Sequence, residues 1–145
     1  MAARGPRYLA NGNINVARIV KIDNTAGANF RVIQADASSD KSVGISQQGT
    51  YQPPGVVGSD AFAAHAGQPV FVAAVGEETL LLIGTGGCTQ GDLLTSDASG
   101  QGVTIAFTAG SGTVYAVAFA LEAALFGELA RVCVLAPHPI TGITA

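Results

Sequence analysis

The residues of this sequence whose types could do chemistry are few: two histidines, two cysteines and a handful of acids. A nucleophile would be Cys88 or a serine, with His65 or His138 as its base; a metal site would draw on His65, His138, Cys88 and Cys133. The spacing argues against both. His138 stands between two prolines in "APHPI", a poor place for a positioned base, and His65 lies in the loosest segment of the chain, with no nucleophile elbow near either. The four metal-ligand types come one each from distant places, whereas structural zinc ligands are usually paired at short spacing. No cofactor or metal site is expected. Cys88 and Cys133, far apart and without a CxxC partner, read as small hydrophobes and not as a disulfide.

The glycine-rich run "IGTGGCTQGD" (83 to 92) follows an apolar stretch, so a phosphate cradle has to be weighed. Such a loop must open a helix or carry Gly-Lys-Ser/Thr; here another strand follows and no Lys exists after Lys41, so it reads as a hairpin connection. Glu77 and Glu78 are neighbours on an expected hairpin, "VGEET", where their side chains point to opposite faces and cannot share one acid/base site. "DASG" (97 to 100) has Ser99 where an aspartic protease motif needs Gly, and lacks the repeated oxygen ligands of a calcium loop. It suits a β-turn, with Asp97 bonding back to the backbone and Gly100 at its end. The chain therefore reads as not an enzyme; a small Cys/His hydrolase stays as the alternative.

The elements around these residues are short apolar runs punctuated by Gly, Asn, Asp and Pro, the pattern of an all-β barrel or sandwich. Strands are expected at 14 to 22, 29 to 35, 42 to 48, 69 to 75, 79 to 84, 92 to 96, 103 to 107, 113 to 120 and 128 to 135. Arg18 falls on the apolar face of the first, which places it near a barrel end or beside an acid. The last has apolar residues on both faces, so both are expected to be covered. In "FALEAALFGEL" Leu121, Leu125 and Leu129 repeat every four residues, which allows at most a turn or two of helix before Gly127. The expected organisation is an N-terminal arm (1 to 13), one β-rich domain (14 to 136) with a long Pro/Gly loop inside it (49 to 68), and a C-terminal tail (137 to 145).

Composition narrows the partners. The 145 residues are 48% hydrophobic and only 12% charged, so a lone soluble copy would expose much apolar surface; some of it is expected to be covered by other chains. A net charge of -3 with seven Lys and Arg is too few bases for a nucleic-acid binder. No membrane partner is expected, because Glu122, Glu128 and Arg131 interrupt the most apolar stretch, "TVYAVAFALEAALFGELARVCVL", and the first residues lack the apolar run of a secretory signal.

The runs "SVGISQQGT", "AHAGQPVFVAAVGEE", "TQGDLLTSDASGQGV" and "AVAFALEAALFGELARVCVL", in this order, resemble the head-decoration or capsid-cement proteins of tailed bacteriophages across roughly residues 14 to 136. The resemblance implies a β-rich, non-enzymatic protein, trimeric on the capsid surface, with the major capsid protein as partner and the virion, assembled in the host cytoplasm, as location. On that reading Arg4, Arg7 and Tyr8 in the arm and Tyr51, Pro53 and Pro54 in the long loop are expected to touch the capsid. Phe119, Leu121, Leu125 and Phe126 are expected to serve self-association. "TQGDLL" also resembles the Gly-Asp start of a strand in lipoyl and biotinyl carrier barrels; those domains modify a hairpin lysine, and Lys21 and Lys41 are the only lysines here.

Overall fold

Ala17 breaks the first expected strand in two. Its φ of 58° is the left-handed conformation that L-residues seldom adopt, and it turns the chain between β2 (Ile14–Asn15) and β3 (Ile19–Ile22). The computed structural model describes residues 8 to 25, 27, 31 to 47, 62 to 105 and 112 to 141. The other strands are β1 (Tyr8–Ala10), β4 (Arg31–Gln34), β5 (Ser42–Ser46), β6 (Phe62–Ala64), β7 (Pro69–Val70), β8 (Val72–Ala73), β9 (Glu78–Leu82), β10 (Leu93–Ser96), β11 (Gly102–Thr104), β12 (Val114–Ala120) and β13 (Leu129–Ile140). The described residues hold strands and no helix, so the fold is all-β.

Two sheets each nearly close on themselves. The first has the order β7-β1-β4-β3-β5-β8, and its edge strands are consecutive in sequence, parted by Phe71 alone. That one kink bends the sheet into a barrel: β7 pairs with β1, β8 with β5, and Gln47 N–H donates to the Phe71 carbonyl at 2.9 Å. The second sheet runs β11-β10-β12-β13-β9, and a bridge between Ile83 and Gly102 joins its two edges. Closure removes the exposed strand edges that invite aggregation. A third, two-stranded piece pairs β2 with β6.

The barrels share a core. One buried cluster joins Ile19, Ala35, Ile45 and Ala73 of the first barrel to Leu81, Leu94, Val117, Val132 and Val134 of the second; another, with Ile14, Val20, Val32 and Val70, fills the first barrel. Leu81 and Leu94 are wholly buried, and each such side chain contributes about 2 to 3 kcal/mol. The connection between β4 and β5 clasps the second barrel, because the Ser38 carbonyl accepts from Tyr115 N–H at 2.9 Å and Thr95 Oγ1 at 3.3 Å. Buried hydroxyls are satisfied: Ser46 Oγ donates to the Asn15 carbonyl at 2.6 Å and accepts from Arg18 N–H at 3.0 Å.

Several elements depart from expectation for physical reasons. "VGEET" is not a hairpin: β8 pairs with β5 and β9 with β13, so this turn carries the chain from one barrel to the other. Glu77 closes it, its N–H donating to the Ala74 carbonyl and its Oε1 accepting from Ala74 N–H. The 83 to 92 run is likewise no hairpin, since β9 and β10 are not neighbours in the sheet. Tyr8–Ala10, expected in the arm, is a sheet strand, β6 lies within the expected long loop, and β13 continues to Ile140 because Val114, Tyr115 and Ala116 supply partners for Ile140, Pro139 and His138. Arg18 lies at the Ala17 bend, where its guanidinium donates to the Val16 carbonyl. Burial pushes its pKa down and the charge of Asp97 opposes that.

Candidate interaction surface

The last expected strand is apolar on both faces, and the register shows what each face meets. Ala130, Val132 and Val134 point into the second barrel and are buried; Leu129 and Arg131 point out, across from Leu82 and Leu80, and Cys133 is paired with Phe119. Leu80, Phe119 and Leu129 are all exposed. This outward face is uncovered in the single chain. Sequence reasoning missed Leu80, Leu129 and Arg131 as surface residues, because their adjacency depends on the β9–β13 register and not on spacing along the chain.

The face ends in a corner built by residues 121 to 128. No helix forms there, since its backbone bonds go to the connection between β9 and β10: Cys88 and Ala124 exchange N–H to carbonyl bonds at 2.8 and 3.1 Å, and Gly127 N–H donates to the Ile83 carbonyl at 2.9 Å. Gly127 has a φ of 86°, which turns the chain back toward β13. Glu128 Oε1 accepts from Leu125 N–H at 2.7 Å and Glu122 Oε1 from Arg131 N–H at 2.8 Å. Leu125 and Phe126 stand at the tip of this pinned turn, 73% and 64% exposed. Of the four residues expected to serve self-association, Phe119, Leu125 and Phe126 are exposed and Leu121 is half-buried.

The residues expected to touch a capsid are less visible. Tyr8 is half-buried in β1 and packs against the first-barrel core. Arg4, Arg7, Tyr51, Pro53 and Pro54 lie outside the described residues.

The chemical candidates are not brought together. Cys88 sits in the second barrel beside Ala124; burial pushes its thiol pKa up, the charges of Asp92 and Glu122 add to this, and a bond at the Ala124 backbone opposes it. That is the wrong direction for a thiolate nucleophile. His65 lies in the turn between β6 and β7, its N–H donating to Gln68 Oε1, and His138 on β13 is paired with Ala116 on β12. Among the described residues no group of three or more His, Cys, Asp or Glu could hold a metal ion, and no helix is long and apolar enough to cross a membrane. Asp97 Oδ1 accepts from the N–H of Ser99 and Gln101 at 2.8 and 2.9 Å, which makes "DASG" the turn of the β10–β11 hairpin. Asp92 Oδ2 accepts from Thr89 N–H and Thr104 Oγ1. Lys41 follows Asp40 but lies in no hairpin, because β3 separates β4 from β5; its ammonium stands 5.6 Å from the centre of the Tyr115 ring.

No protein-family model matches the chain, and no curated protein matches it. Among solved structures it is similar to the head fibre gp8.5 N base in bacteriophage phi29, with a TM-score of 0.55 and 16% identity, covering 88% of this chain and 89% of that one. At this identity the likeness is one of fold.

Proposed function

We propose that this chain is a structural protein of a bacteriophage head, which binds the outer surface of the capsid and stabilises the expanded shell, self-associating as a trimer. The observation that carries the reading is the fold likeness to a phage head fibre base over nearly nine-tenths of both chains. It agrees with the sequence runs that resemble head-decoration proteins, a resemblance drawn from residues and independent of the fold. The uncovered apolar face ending at Leu125 and Phe126 supports a protein that works by contact.

The mechanism is linkage. A protein that binds the expanded shell and not its precursor stabilises the expanded state by mass action, and copies that bridge neighbouring subunits hold the shell through many contacts at once. The major capsid protein is the partner in this reading, and Arg4, Arg7, Tyr8, Tyr51, Pro53 and Pro54 are the residues that meet it. Heating expanded shells with and without added protein tests this: saturating protein is expected to raise the temperature at which shells break open. An unchanged temperature contradicts the reading.

A further inference from the structure

Of the five asparagines in the chain, Asn11 is the one that glycine follows; Asn13, Asn15, Asn24 and Asn29 precede Ile14, Val16, Thr25 and Phe30. Asparagine is chemically labile because the backbone nitrogen of the next residue can attack its side-chain carbonyl carbon. A β-branched or aromatic neighbour crowds that nitrogen. Glycine, with no Cβ, leaves it open and lets the backbone turn as the attack requires.

The fold leaves this pair reactive. Asn11 is exposed and Gly12 half-buried in the bend that follows β1. Gly12 has a φ of 140°, open space surrounds the position that a Cβ would take, and its N–H makes no hydrogen bond with a described residue. The nitrogen is therefore free to lose its proton, and the bend has room for a ring. The same fold makes the asparagine matter. Asn11 Nδ2 donates to Asp23 Oδ2, which ties the exit of β1 to the exit of β3. Asp23 is buried; its Oδ1 accepts from Thr25 N–H at 2.9 Å and its own N–H donates to the Arg31 carbonyl of β4 at 3.0 Å. The bond from Asn11, then those from Thr25 and the charge of Lys21, hold the Asp23 carboxyl below its ordinary 3.8 against the opposing effect of burial.

We propose that Asn11–Gly12 is a site of spontaneous deamidation, whose product loosens the junction of β1, β3 and β4 as the protein ages. Gly12 N, deprotonated, bonds to Asn11 Cγ; the Cγ–Nδ2 bond breaks and the nitrogen leaves as ammonia, taking from solvent the proton that Gly12 gave up. The result is a cyclic succinimide. Water then adds to one of its carbonyl carbons. Breaking the bond from Gly12 N to Cγ gives aspartate, and breaking the bond from Gly12 N to the main-chain carbonyl carbon of residue 11 gives isoaspartate. No electrons are transferred, and water is the only co-reactant. The bond to Asp23 slows this without stopping it, because an exposed side chain leaves and regains its rotamer many times during so slow a reaction. Either product sets a carboxylate against the Asp23 carboxylate where a donor stood, so a tie becomes a repulsion between like charges. Isoaspartate also adds a carbon to the backbone, beside the 2.9 Å bond from Asn11 N–H to the Val32 carbonyl. The inference is independent of capsid binding and of self-association.

Storage of the full chain at mildly alkaline and mildly acid pH, followed by tryptic peptide mass mapping, tests it. Trypsin releases Tyr8–Arg18, which holds Asn11, Asn13 and Asn15 in one peptide for fragment sequencing. Wild type is expected to gain the mass of water exchanged for ammonia at Asn11 alone, faster at alkaline pH, as a mixture of aspartate and isoaspartate. Asn11→Gln, whose longer side chain has to close a larger ring, is expected to keep its mass over the same period. Asn11→Asp, the aspartate product made directly, is expected to melt roughly 4 °C below wild type at neutral pH, and adding Asp23→Asn is expected to recover part of that loss. A wild type that keeps its mass, or that reacts as fast at Asn13 or Asn15, overturns the site. An Asn11→Asp variant that melts with wild type, or whose loss Asp23→Asn does not lessen, overturns the loosening.

Discussion

Gly44 of β5 lies so close to Ala73 of β8 that a Cβ built on it would stand 2.1 Å from the Ala73 carbonyl oxygen and 2.4 Å from a methyl of Val72. This is where the edge strand β8 pairs with β5 in the first barrel. Gly44→Ala is expected to destabilise by about 3 kcal/mol, because backbone on both sides would have to move, and to lower the melting temperature by roughly 10 °C. Thermal unfolding followed by circular dichroism checks it; an unchanged midpoint would mean that β8 does not pack this closely on β5.

The Asp97 turn separates geometry from chemistry. Asp97→Ala removes the acceptor for two backbone N–H groups and is expected to lose about 1 to 2 kcal/mol, whereas Asp97→Asn keeps an acceptor oxygen and is expected to stay within about 0.5 kcal/mol of wild type. Urea unfolding of the two variants decides; equal losses would show that the charge, and not the acceptor, matters.

The Lys21–Asp40 pair sets a pH dependence. Burial pushes the Asp40 carboxyl up, but the bond from Asp36 N–H and the Lys21 ammonium outweigh it and hold the carboxyl below its ordinary 3.8. Burial likewise pushes Lys21 down, and its bonds to Asp36 and Asp40 raise it above 10.5. A depressed acid stabilises above its unfolded pKa and loses this as pH falls through the folded value; a raised base stabilises below its unfolded pKa and loses this as pH rises through the folded value. Asp40→Asn is therefore expected to melt below wild type at neutral pH, with the gap narrowing once the pH drops under about 4. A gap that is constant from neutral to acid pH would assign the loss to packing.

Cys88 offers a readout of the acidic corner. With its thiol pushed up by burial and by the charges of Asp92 and Glu122, it is expected to alkylate more slowly than an unperturbed thiol in a Cys133→Ser background, and faster after Glu122→Gln. Intact-mass kinetics with iodoacetamide give both rates. Equal rates with and without the Glu122 charge would remove the field argument.

What was legible in the sequence was local. Eight of the nine expected strands overlap observed ones as single or kinked elements, and the first split at Ala17, whose left-handed backbone no alanine advertises. The "DASG" turn could be read because Asp97 and its acceptor bonds lie within four residues of one another. The "VGEET" turn could not, since a tight turn between two apolar runs is a hairpin only if those runs pair, and Val72 and Leu80 find partners in different barrels. For the same reason Leu125 and Phe126 could be chosen from apolar character, while Leu80 and Arg131 needed the register that sets them side by side.

The central claim is a preference for the expanded shell, and pelleting measures it most directly. Purified protein is expected to sediment with expanded capsid shells, saturating at a fixed number of copies per shell, and to stay in the supernatant with unexpanded ones. Equal binding to both, or binding to neither, would contradict the account.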